Sequence, residues 1–288
     1  MKKFLFLVVM FSCIFNFLPS TASAVNLVIN EGKIRLSIPP GSTKTGLIHI
    51  KNTSEETVAV RAYLDDWYYL PGGDGSKEFQ TPGTLPLSCA SWINFNPAEF
   101  TIPPYGNQVV NYIVKVPQGA SGGHYAVLFF ETLMAKPVPE EGIGVGVAVR
   151  LGSLFYVEAE GSLKREMTIG NLSLERASGS TPLKVNLELK NTGNVDITAS
   201  GTFDLIDKTG MVYARGAFND VYTFPNDTGT LSGEWNASIP AGNFDLVITL
   251  DLGKAQEEAE MGRGPVIVKE ANIEIGASGK VLSVSALK

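Results

Sequence analysis

The sequence predicts an all-β protein of two tandem β-sandwiches, and three observations carry that reading. The first is an internal repeat. Ile48-His49-Ile50-Lys51-Asn52-Thr53, followed by Thr57 to Asp65, returns as Leu187-Glu188-Leu189-Lys190-Asn191-Thr192, followed by Asp196 to Asp204. Val116-Pro117 with Gly123 to Leu128 is echoed by Ile239-Pro240 with Gly242 to Ile248. The second observation is period-two alternation bounded by Asn, Gly and Pro, the pattern of half-buried strands. The third is the near absence of helical periodicity. Many short strands with Gly/Pro turns indicate immunoglobulin-like sandwiches, and a repeat this long indicates tandem domains rather than a solenoid.

Residues 1–24 read as a signal peptide. Lys2-Lys3 gives the positive start, Phe4 to Leu18 the apolar stretch and Ala22-Ser23-Ala24 the small-residue cleavage site. The apolar run falls short of the about 20 residues of a membrane span, and no later stretch is long and apolar enough. The mature chain is therefore expected to be exported, with no integral membrane segment. Losing Lys2 and Lys3 takes the net charge from −6 to −8. That acidic balance argues against nucleic acid as a partner. One cysteine remains, Cys89, read as a small buried side chain within Leu85 to Ala90. Without an internal disulfide the chain must rely on its hydrophobic cores, and two domains of this size can supply them.

In the first domain, 25–161, strands are expected at Ile34–Ile38, Gly46–Lys51, Val58–Trp67, Val109–Val116, His124–Leu133 and Ile143–Glu158. Pro71 to Ser91 reads as a long Gly/Pro-rich loop with no counterpart in the second copy, and Lys136 to Gly142 as a shorter one. In the second domain, 162–276, strands are expected near Met167–Glu175, Lys184–Lys190, Asp196–Ile206, Met211–Ala217, Gly233–Ile239, Asp245–Leu252 and Val266–Ile275. Gly253 to Glu260 reads as an acidic loop and 277–288 as a weakly patterned tail.

Little in the chain points to catalysis. Its two histidines, His49 on the polar face of a strand and His124 after Gly122-Gly123, leave scant material for a Ser-His-Asp, Cys-His or histidine metal site. Asp65-Asp66 and Asp74 with Glu78 supply too few oxygens for calcium. Gly276 to Lys280 lacks the spacing of a phosphate loop, and Val281 follows where Ser or Thr is needed. Trp67-Tyr68-Tyr69 suits core or interface packing better than sugar stacking. The expectation is a non-enzyme with no metal and no cofactor.

One strand is unusual. Ile143, Val145, Val147, Val149 and Leu151 occupy one face of an unbroken alternation, with Gly144, Gly146, Ala148, Arg150 and Gly152 on the other. Either it is a core strand with a close neighbour over its glycines, or it is an edge that lends its backbone and apolar face to another chain.

Several segments together resemble the first domain of the PapD-like periplasmic pilus-assembly chaperones. These are Gly41 to Asn52, Val58 to Trp67, Asn96-Pro97, Phe100 to Gly106, Gly123 to Phe130, and the alternating strand ending Leu154-Phe155-Tyr156. The resemblance covers about 130 residues. It implies a periplasmic protein that assembles pili or other surface fibres by β-strand addition to a partner subunit. Ile143, Val145, Val147, Val149 and Leu151 would then fill the subunit's groove. In such chaperones an Arg on the first strand and a Lys on the last grip the subunit's terminal carboxylate. Here Leu36 and Ser153 stand at those registers, which makes Arg35 and Arg150 the candidate substitutes. The second domain looks more like generic Ig-like modules of bacterial surface proteins, and the pair is also similar to WxL-interacting surface proteins. That keeps an alternative in view: a secreted or cell-surface structural or adhesive protein, binding an envelope protein or glycan through the insertion and its aromatics.

Overall fold

The computed structural model describes residues 27–132, 149–176, 178, 180–253 and 265–288. The leader, Ile143, Val145 and Val147, and most of the two expected loops at 136–142 and 253–260, lie outside these residues. The described chain is built of strands, with a single 3-10 turn at Ala90–Trp92.

The first sandwich packs two sheets. One contains β1 (Leu27–Ile29), β3 (Thr43–Asn52), β8 (Asn107–Lys115) and β6 (Ile93–Asn96), in the order β1-β3-β8-β6. The other runs β2-β10-β9-β4-β5, from β2 (Lys33–Ile38), β10 (Val149–Ala159), β9 (Gly122–Thr132), β4 (Val58–Tyr69) and β5 (Lys77–Gln80), with β7 (Glu99–Ile102) also on β4. The chain changes sheets at its start: β1 pairs antiparallel with β3, and β2 then runs parallel to β10. Inward positions follow the alternation, so Ile48, Ile50, Val110, Val114, Leu128, Phe130, Phe155 and Val157 form a fully buried core. Cys89 is buried in it, and burial pushes its thiol well up.

The second sandwich has a sheet of β11 (Met167–Glu175), β12 (Leu183–Asn191) and β16 (Thr228–Trp235). Facing it is the sheet β14-β13-β17-β18-β19, from β14 (Val212–Ala217), β13 (Ile197–Ile206), β17 (Gly242–Asp251), β18 (Val266–Ile275) and β19 (Val281–Val284). β15 (Val221–Thr223) also pairs with β13. Three differences from the sequence expectations have simple causes. The insertion is not all loop, because Lys77–Gln80 pairs with Asp66–Tyr69. The tail contributes β19, which is too short to show a period. The strand expected at 233–239 lies at 228–235, because Thr228, Thr230 and Ser232 alternate with Gly229, Leu231 and Gly233 and hide the pattern.

Candidate functional site

The two sandwiches meet over the outer face of the β2–β5 sheet, and a buried ion cluster sits at the joint. Arg35 projects from β2 beside Tyr156, its cross-strand neighbour, with the guanidinium 4.4 Å from that ring's centroid. One guanidinium nitrogen reaches both Glu158 (2.6 Å) and Asp196 (3.0 Å), and the other reaches Asp196 (2.6 Å). All three side chains are at most 3% exposed. Arg165 reaches the second Glu158 oxygen at 2.7 Å. Burial alone would lower the Arg35 pKa, but the two carboxylates outweigh it and hold the group above its ordinary value. Tyr125 donates to Asp196 and accepts from the Asp196 amide. Arg35 is therefore no open anchor for a partner's carboxylate, because both arms of its fork are spent on carboxylates of its own chain.

Aromatic rings fill the remainder of the joint. Trp67 contacts Tyr69, Tyr125, Tyr156 and Phe224, and Phe224 stacks on Tyr125 at 4.0 Å. Trp67 is 1% exposed and its indole N–H donates to Ala126, so it is no sugar platform. The insertion closes over one side. Buried Asp66 accepts from the amides of Thr84 and Leu85 and from the Ser88 hydroxyl. Gly73 in turn accepts from Tyr222 of the second sandwich.

Lys33 and Lys77 converge on these rings, a pair that the sequence reading did not single out. The Lys33 ammonium is 5.3 Å from the Tyr156 centroid, and that of Lys77 is 5.4 Å from the Tyr69 centroid. Burial, then repulsion from Lys33, lowers the Lys77 pKa. Their separation, 44 positions along the chain, hid this juxtaposition.

The edge of β10 forms the second feature. β9 pairs with β10 along its whole length, from Val149 to Ala159. On the opposite side β2 pairs only from Leu154 onward. The Leu154 amide donates to Gly32, so Arg150 and Gly152 turn their own N–H and C=O groups to the same side. Among the described residues, nothing bonds to them there. Val149 and Leu151 are half-buried, with Leu151 against the first core. Arg150 lies on the outer face, its guanidinium 4.0 Å from the Phe129 centroid and 3.9 Å from an Asp65 oxygen. At Ser153 the hydroxyl donates to the Glu31 carbonyl at 2.6 Å. No group of three or more His, Cys, Asp or Glu suited to a metal occurs among the described residues.

No family model matches the sequence, and no curated protein matches it. Solved structures do. The Class 5 fimbriae chaperone CfaA aligns over 84% of this chain and 98% of its own, at 14% identity and a TM-score of 0.49. A chain from a chaperone–tip adhesin complex of CFA/I fimbriae biogenesis aligns with the same coverage and identity, at 0.48. A chain from the Salmonella enterica SafA pilin–SafB chaperone complex aligns over 85% of this chain and 96% of its own, at 10% identity and 0.41. A PapD-like domain of human CEP192 also aligns, over 46% of this chain and 84% of its own, at 16% identity and a TM-score of 0.29. The three structures that cover most of this chain thus come from chaperones of fimbriae and pili or their complexes, and the likeness is one of fold.

Proposed function

We propose that this protein is an exported, periplasmic assembly chaperone for subunits of a surface fibre, lending the upstream half of β10 to a partner by β-strand addition. The observation that carries the reading is the half-covered edge: β2 begins only opposite Leu154, and among the described residues nothing pairs with the backbone of Arg150 and Gly152 on that side. It lies in line with the alternation of Ile143, Val145, Val147, Val149 and Leu151. In strand addition the backbone bonds give affinity, and alternate side chains entering pockets give specificity. An apolar edge of this kind promotes aggregation unless a partner covers it. Arg150 flanks the edge and belongs to the proposed surface, whereas Arg35 does not.

The test is capture of a β-rich subunit from the native cell envelope by the mature protein and by a Val145→Asp, Val147→Asp double variant shown to be folded by circular dichroism. The expected result is a complex with the wild type alone, in which the Arg150 and Gly152 amides gain protection from hydrogen exchange. Equal capture by both proteins would sink the edge mechanism. A variant that cannot fold would make the strand part of the core.

A further inference from the structure

A groove runs between the insertion and the second sandwich, away from the β10 edge. It consists of two cavities, of about 310 and 230 Å³, which share Asn226 and Asp227. Tyr68, Pro86 and Phe224 wall the larger, and Pro71 and Tyr222 the smaller. Asp227 is the single charged residue among the described residues lining either one. Its carboxylate accepts from the Phe224 amide at 2.8 Å, and no described Lys or Arg pairs with it. The second oxygen of this half-buried carboxylate has no protein hydrogen bond among the described residues. Burial raises its pKa against the lowering effect of that one hydrogen bond.

A carboxylate set among aromatic and proline walls suits a cation, which gains both the charge pair and the ring faces. One guanidinium occupies only part of this space, and two neighbouring cavities that share Asn226 and Asp227 and are walled by prolines and aromatics suit an extended peptide. We propose that the groove binds an extended segment of a partner polypeptide, with an arginine side chain on Asp227.

The probes are the blocked tripeptides acetyl-Ala-Arg-Ala-amide and acetyl-Ala-Glu-Ala-amide, together with methylguanidinium, titrated into the full mature chain and followed by amide chemical shifts. The arginine peptide is expected to saturate shifts at Ser88, Asn226, Asp227 and Thr228, while the glutamate peptide leaves them unmoved. Asp227→Asn keeps the acceptor for the Phe224 amide, so the loop is retained. It should weaken the arginine peptide about tenfold, the loss of one close charge pair. Tyr68→Ala, which removes a wall and a bond to exposed Glu78, should weaken it by a smaller factor. No shift in the groove would overturn the proposal, as would unchanged affinity in both variants or equal binding of the glutamate peptide. Methylguanidinium binding as tightly as the tripeptide would overturn the peptide occupant. None of these probes engages β10, so strand addition stands or falls separately.

Discussion

The two copies of the strand–turn–strand repeat use one residue in the same way and their next residues differently. Asn52 and Asn191 are both fully buried. Each amide donates to the carbonyl four residues on, Glu56 or Val195, and to a distant segment, Ile102 and Pro103 or Thr223. Each side-chain oxygen accepts the amide two residues on, from Ser54 or Gly193. Two further bonds of the first turn stay within its own sandwich: Ser54 accepts from the Tyr105 amide and Glu55 from the Tyr105 hydroxyl. In the second, Asn194 accepts from Gly123 through its carbonyl, exchanges bonds with Lys164, and donates to Ser162, while Asp196 takes Arg35. One motif therefore closes a sandwich in the first copy, and both closes a sandwich and joins the halves in the second. A repeat preserves what the core requires, and the joint is written in the residues that depart from it.

Breaking the joint should have the largest effect. Arg35→Met leaves Glu158 and Asp196 buried with less compensation, and removing one partner of a buried ion pair costs about 3–5 kcal/mol. Calorimetry should show a lowered transition that splits in two as the sandwiches uncouple. A single transition at the wild-type temperature would mean that the aromatic contacts alone hold them together.

The two turns differ again at the residue two beyond each asparagine, Ser54 in one and Gly193 in the other. A Cβ on Gly193 would clash with the Lys164 carbonyl oxygen, because the linker is pressed against this turn. Gly193→Ala should therefore cost about 3 kcal/mol, the upper range for overpacking. Ser54→Ala at the matching position loses one hydroxyl bond to Asn52 and should cost about 1 kcal/mol. Chemical denaturation of the two variants measures the difference, and equal losses would show that the second turn is not wedged.

The insertion is the other asymmetry, and Asp66 pins it. Asp66→Ala orphans the Thr84 and Leu85 amides and should cost about 2 kcal/mol. Limited proteolysis should then cut first between Thr81 and Ser88. Retained resistance there would mean that β5 alone secures the loop.

Long alternating strands were legible because each buries one face, and an error of one residue would have exposed the whole set. The run at 143–151 stood out for the same reason. How far β10 is covered depends on where its neighbour begins, and β2 begins after a three-residue hinge, Asn30–Gly32, that carries no pattern. Arg35 stands out only through the resemblance, as a candidate anchor beside Leu36, and its burial was not legible, since its carboxylates lie 123 and 161 positions away. Asp227 drew no notice for a related reason, because its groove forms only when the insertion and the second sandwich meet.

The smallest effect is one of pH, and it separates the halves again, since both histidines lie in the first. His124 packs on Trp92, with ring centroids 4.2 Å apart, and one ring nitrogen meets the Ser121 carbonyl. Burial lowers its pKa below the ordinary 6.5, against weaker raising by the Ser121 and Ser88 backbones. The folded state thus favours the neutral ring more than the unfolded chain does. The stability this gives is complete above the unfolded value and is lost as pH falls through the folded one. His124→Gln keeps a polar side chain in place but cannot titrate. Between about pH 7 and pH 5 the wild type should lose more stability than the variant, with the difference centred below the unfolded value of about 6.5. Parallel profiles would show that the ring gains solvent when it takes its proton, and that the Trp92 contact does not hold it neutral.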